Sequence, residues 1–115
     1  MYSFKKLKQN SDFRRTYGRG ITYVRPAFVT YAFKNRRSDT VRVGITAGKK
    51  IGGAVERNRA KRVITAAFAQ ISQKVKPGFD IVFVARSRIL DQKSTEVAAQ
   101  MLEVFKEAEM LDQNA

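Results

Sequence analysis

The segment Lys49 to Arg62, KKIGGAVERNRAKR, constrains this chain more than any other. Six of its fourteen residues are Lys or Arg against the single Glu56, and it runs without a break into Val63, Ile64, Ala67, Phe68 and Ile71. At about 100° per residue, Ala60, Ile64, Ala67, Ile71 and Val75 fall in one narrow stripe, with Asn58, Arg62, Thr65 and Ala69 opposite. The spacing predicts a helix from about Ala54 to Lys74 that buries one face and keeps a basic one in water. Arg57 and Lys61 are i, i+4 neighbours on a flank of the basic face. Arg57 and Arg59 point roughly 200° apart, so one phosphate is not held by both.

The chain around this helix has 115 residues, 43% of them hydrophobic, enough for one compact core. One domain, 1–115, is expected, with 1–9 a basic lead-in, extended and partly ordered, and 112–115 a frayed tail. The 23 Lys and Arg face 10 Asp and Glu, for a net charge of +13, which makes a polyanion the expected partner. Residues 1–89 hold 21 basic and 4 acidic side chains and residues 90–115 hold 2 and 6, so the C-terminal end is expected to face away from that partner. No cysteine is present, which removes disulfides and thiolate metal sites and fits a reducing cytoplasm. Neither a signal-peptide core nor an apolar run of about 20 residues occurs, so a soluble, cytoplasmic protein without a membrane partner is expected. The basic helix also lacks the Trp/Phe/Leu-rich face of an interfacial anchor.

Along the chain, Ser11 is the expected N-cap of a short helix carrying Asp12, Phe13, Arg14, Arg15 and Tyr17, ended by Gly18 and Gly20. Phe13 and Tyr17 share a face at i, i+4, a pattern that usually marks core. Ile21 to Val24 reads as a short strand. Ala27 to Lys34 reads as a second, with Ala27, Val29, Tyr31 and Phe33 on one face and Phe28, Thr30, Ala32 and Lys34 on the other. Residues Asn35 to Asp39 form a turn, from which an antiparallel hairpin with the next strand, Val41 to Ala47, is expected. Gly48, Gly52 and Gly53 loosen the backbone beside Lys49 and Lys50, where N–H groups at a helix start can receive an anion, although the spacing is not a Walker motif. Lys76-Pro77-Gly78 breaks the chain, and Phe79 to Ala85 is an apolar run expected deep in the sheet, parallel to the Val41 strand across a β-α-β unit. Thr95 to Leu111 reads as a packing helix with Val97, Met101, Val104, Phe105, Ala108 and Leu111 inward and Glu96, Glu103, Glu107 and Glu109 in solvent.

No catalytic constellation emerges. The chain has no His and no Cys, and its basic part offers only Asp12, Asp39, Glu56 and Asp80, scattered over different elements. Neither catalytic nor metal-ligating residues are assigned, and a self-sufficient nuclease is disfavoured.

KKIGGAVERNRAKR, with Arg57-Asn58-Arg59 and then Lys61-Arg62 on a helix after the strand VRVGIT, resembles the RNR motif of the bacterial ribonuclease P protein subunit. Ser11-Asp12-Phe13 with Tyr17, the segment Arg25 to Tyr31 and the segment Asp80 to Arg86 are similar to that family too, so the likeness covers roughly residues 7–106. It implies a small two-layer α-β sandwich of order α-β-β-β-α-β-α, ribosomal protein S5 domain 2-like, with a left-handed crossover around the RNR helix where physics alone favours right-handed. The implied function is that of a basic partner of a catalytic RNA that removes the 5′ leader of precursor tRNA using Mg²⁺, with no small-molecule substrate. Carried onto this chain, the catalytic RNA is met by Lys49, Lys50, Arg57, Asn58, Arg59, Lys61 and Arg62. The single-stranded leader lies in a cleft of Phe13, Tyr17, Phe28, Val29 and Tyr31, with Arg14 and Arg15 at the rim. Gly53 stands where the family often has Asn, and Thr65-Ala66 where it often has Arg and a polar residue, which removes one basic contact from that face.

The alternative is a ribosomal or general RNA-binding module, which would share the charge but need neither the RNR stretch nor an aromatic cleft. A helix-turn-helix regulator would need a second helix just before the basic one, where a strand and a Gly-rich turn stand instead.

Overall fold

The computed structural model describes residues 4–35 and 40–112. Five strands form one mixed sheet: β1 (Phe4–Lys6), β2 (Ile21–Val24), β3 (Phe28–Lys34), β4 (Val41–Thr46) and β5 (Phe79–Ala85), in spatial order β1-β4-β5-β3-β2. Three α-helices accompany them: α1 (Asn10–Arg19), α2 (Ala54–Ile71) and α3 (Ser94–Glu107). Short 3-10 turns stand at Lys49–Ile51, Ser72–Lys74 and Ser87–Asp91.

β5 is the central strand, as its apolar run demands. Ile81, Val82 and Phe83 are all fully buried, so both faces of the strand are covered. It pairs parallel with β4 (Gly44 opposite Val82) and antiparallel with β3 (Tyr31 opposite Val82). The expected β3–β4 hairpin therefore does not form: β5 inserts between the two strands and takes the inner edge of both. The turn expected to close that hairpin falls, from residue 36 to 39, outside the described residues. Asn35 is buried, and its backbone N–H donates to Gly78 O at 2.8 Å, in the Lys76-Pro77-Gly78 turn.

Strand alternation sorts the sheet into two faces. On one, Phe28, Phe83, Phe68 and Phe105 form a chain of edge-on and tilted ring pairs with centroids 5.7–6.2 Å apart. The predicted stripe packs here, with Ala60, Ile64, Ala67 and Ile71 of α2 and Val75 beyond its end all buried, and Phe68 joins it, beside Val97, Met101, Val104 and Phe105 of α3. The other face carries α1, whose Phe13 lies over Gly44 and whose Tyr17 meets Tyr31. Helices thus lie on both faces, three layers in place of the expected two, though α1 covers only part of its side.

The order is β-α-β-β-β-α-β-α, one strand more than expected. β1 pairs parallel with β4, with Phe4 opposite Val41, and the Phe4 ring sits edge-on to Phe68 at 4.8 Å. Part of the basic lead-in is thereby an edge strand. Ser11 is not the N-cap of α1 but lies inside its first turn after Gln9. The helix at the C-terminal end stops at Glu107, and the segment after it bonds back, Asp112 N–H to Lys74 O at 2.7 Å, so the expected fraying does not begin at Asp112.

Candidate nucleic-acid interface

α2 opens at Gly53, whose N–H donates to Glu56 Oε1 at 2.8 Å. The one carboxylate of the basic segment thus caps its own helix and complements the positive end of the helix dipole. Gly52 precedes it with φ of 143°, a backbone state that side chains resist, and a Cβ there would stand 3.0 Å from Glu56. Lys49 and Lys50 sit on a 3-10 turn anchored by buried Ile51. Beyond the cap, Asn58, Arg59, Lys61 and Arg62 are exposed and Arg57 half-buried. Among the described residues, none of Lys49, Lys50, Arg57, Arg59, Lys61 and Arg62 takes part in an ion pair. Six unneutralised cations on one helix and its lead-in form an electrostatic footprint for a polyanion.

The second surface lies on the α1 face. Tyr17 meets Tyr31 edge-on at 4.8 Å, Phe13 and Tyr17 are 6.4 Å apart, and Tyr17 is 39% exposed. Val29 is half-buried on the same face, and the register sets it beside Val84, itself beside Thr46. Phe13, Tyr17, Val29 and Tyr31 are therefore brought together, and Val84 and Thr46 extend the floor. Phe28 is not part of it. It is 0% exposed, points to the opposite face and packs on Phe83, as period-two alternation in β3 requires. Val84 and Thr46 escape a reading of sequence because their neighbourhood with Val29 exists only once β5 is placed between β3 and β4.

Beneath α1 runs a polar network. Arg42 donates to Asp80 at 2.8 and 2.6 Å and approaches Asp12 at 3.4 Å, and Asn35 Nδ2 donates to Asp80 Oδ1 at 2.6 Å. Its hydrogen bonds to Asp80, and then the Asp80 and Asp12 charges, hold Arg42 protonated beyond its already high ordinary pKa, against desolvation. Arg15 donates to Asp12 at 3.1 Å and is thus partly neutralised, whereas Arg14 is exposed with no ion pair among the described residues. Of the two rim candidates, Arg14 is the free cation.

A basic loop links the two surfaces. Arg86, Ser87 and Arg88 are exposed after β5, with Ser87 Oγ 3.5 Å from Lys50 O and Arg86 Nη1 donating to Arg25 O at 3.1 Å. With Val24, Arg25 and Pro26 they line a shallow cavity of about 620 Å³. The sequence signal was the Arg-Ser-Arg spacing at the end of a buried strand.

The family model for ribonuclease P matches residues 1–109. The chain is 37% identical over 105 residues to the ribonuclease P protein component of Clostridium novyi, covering 90% of this chain and 93% of that one. It is 39% identical over 107 residues to that of Clostridioides difficile, covering 92% and 93%. The fold matches the ribonuclease P protein of Staphylococcus aureus with a TM-score of 0.80 at 32% identity, covering 93% of this chain and 97% of the other. It matches that of Thermotoga maritima with a TM-score of 0.77 at 27% identity, covering 90% and 96%.

Proposed function

Because the chain belongs to the ribonuclease P protein family, we propose that it assists a catalytic RNA in endonucleolytic removal of the 5′ leader of precursor tRNA, and that the chain itself is not the catalyst. The observation that carries this reading is the coexistence of an unpaired cationic helix with an aromatic cleft that a basic loop joins to it. The α2 face, with Lys49 and Lys50, neutralises phosphates of the catalytic RNA and stabilises its active conformation. The leader lies across Phe13, Tyr17, Val29 and Tyr31, where bases stack with little sequence preference, and Arg14, Arg86 and Arg88 meet its phosphates.

The Mg²⁺ of this reaction is assigned to the holoenzyme. Among the described residues no three or more Asp and Glu side chains come together in one group. A left-handed β4-α2-β5 connection and a cytoplasmic location belong to the same proposal. The test is reconstitution: the purified chain with a bacterial catalytic RNA, assayed on precursor tRNA at low Mg²⁺. Stimulated cleavage at the leader junction is expected. Binding of the RNA without stimulation would instead identify a general RNA-binding module, and cleavage by the chain alone an independent nuclease.

A further inference from the structure

Across the outer flank of α2, Arg59, Arg62, Val63 and Ala66 line a groove of about 320 Å³ whose other wall is Gln92, Lys93 and Ser94, at the start of α3. Three cations converge on it from two elements thirty residues apart in sequence. Arg59, Arg62 and Lys93 are all exposed, and none takes part in an ion pair among the described residues. Of the two carboxylates close to Lys93 in sequence, Glu96 turns back to accept from the Lys93 N–H at 2.9 Å, and exposed Asp91 neither lines the groove nor takes part in an ion pair among the described residues. The wall is fixed in place: Gln70 Nε2 of α2 donates to Ser94 Oγ at 3.1 Å, and Gln100 Nε2 to Gln92 Oε1 at 3.0 Å. Half-buried Val63 and the single methyl of Ala66 leave the floor open between the cationic side chains.

We propose that this groove seats a sugar–phosphate segment of the catalytic RNA, with Lys93 as a phosphate contact supplied from α3. The proposal rests on the reading of α2 as the catalytic-RNA face and extends that face beyond its own helix. It also reverses the expectation that the whole C-terminal end faces away from the RNA, because Lys93 is one of only two basic residues after residue 89. The chemistry is that of a polyanion backbone. Arg59 and Arg62 offer forked donors to phosphate oxygens, Lys93 a mobile point charge, and Gln92 and Ser94 short polar groups for the 2′-hydroxyl. A protein segment is less suited, since the floor holds only two small apolar side chains.

The experiment measures affinity of the full chain for catalytic RNA as a function of salt, for wild type, Lys93→Ala, Lys93→Arg, Ala66→Glu and Arg62→Ala. Lys93→Ala is expected to weaken binding about three- to tenfold at fixed salt and to make the log–log salt slope shallower by roughly 0.7 to 0.9, one phosphate's worth. Lys93→Arg should restore both. Ala66→Glu, at an exposed helical position, should weaken binding further by placing a carboxylate in the groove. An unchanged affinity and slope for Lys93→Ala and Ala66→Glu, with Arg62→Ala still impaired, overturns the groove and leaves the α2 face standing. If Arg62→Ala is also unchanged, the reading of α2 falls and the groove with it. Melting temperatures within a degree of wild type confirm that each variant is folded.

Discussion

The ring of Phe13 lies against Gly44, so close that a Cβ on Gly44 would stand 2.5 Å from its Cε1 and Cζ. α1 reaches the sheet at this point because β4 carries no side chain there. Gly44→Ala must displace the ring, since the strand backbone is locked between β1 and β5. The ring end can swing, so the cost to folding is expected to be modest, about 1–3 kcal/mol as for overpacking. The cleft loses its inner wall. Affinity for precursor tRNA should fall while affinity for catalytic RNA holds, and equal losses for both would show that Phe13 is only a packing residue.

Tyr31 sits half-buried, edge-on to Tyr17. Tyr31→Ala is expected to lower affinity for precursor tRNA by about 1–3 kcal/mol and to leave mature tRNA, which has no leader, unaffected. Tyr31→Phe should bind as wild type if stacking dominates. An unchanged ratio of precursor to mature affinity in a folded Tyr31→Ala variant removes the leader from this cleft.

Replacing Arg57, Arg59 and Arg62 together with Ala tests the helix. Wild-type affinity for the catalytic RNA should fall with salt at a log–log slope of roughly −3.5 to −4.5, as for about five neutralised phosphates. The triple variant should be markedly flatter with an unchanged circular-dichroism spectrum, because the buried stripe is untouched. A slope that stays the same places the RNA elsewhere.

Asp80 is fully buried, and Arg42 is its charge partner. Arg42→Met strands that carboxylate and should cost about 3–5 kcal/mol in urea unfolding, with Asn35 its remaining hydrogen-bond donor of those described above. Arg42→Met combined with Asp80→Leu should recover much of the loss. A double variant as unstable as the single one would show that the pair is worth more than the packing that replaces it.

Thr30 Oγ1 is fully buried on the aromatic face, opposite Phe83, and has no hydrogen-bond partner among the described residues. Thr30→Val keeps the shape and removes the orphaned hydroxyl, so stability should rise by about 1 kcal/mol, read as a Tm a few degrees higher. A lower Tm would reveal a hydrogen bond in solution, to water or to a shifted carbonyl.

What could be read from sequence was whatever a single element carries in its own period. The α2 stripe from Ala60 to Ile71 is buried as the 3.6-residue spacing requires, and the unbroken apolar run of β5 places it centrally. What could not be read was the choice of neighbours. A turn after Lys34 signals reversal of the chain, not which strand lies alongside, and Phe79 to Ala85, which begins 45 residues further on, claims that place. β1 was illegible because three residues with two lysines show no alternation, and what holds it lies far along the chain: its pairing with β4 and the Phe4 ring on Phe68. In the cleft, the family likeness implies Phe28 beside Val29 and Tyr31, whereas the period-two alternation of β3 sets Phe28 on the opposite face, where it is buried against Phe83.

The central position of β5 has a consequence during synthesis. Both strands that flank it are made earlier and lack their inner partner until it arrives: β3 holds only β2, and β4 only the three residues of β1. Until residues 79–85 have left the ribosome, the emerging polypeptide therefore presents two open strand edges, including Val41 and Val43, whose side chains are buried in the finished fold. Such edges are templates for pairing with other chains. The nascent protein passes through a window of vulnerability that closes only when its second-to-last element arrives, and the cations dense in those first residues keep neighbouring copies apart by mutual repulsion while it lasts.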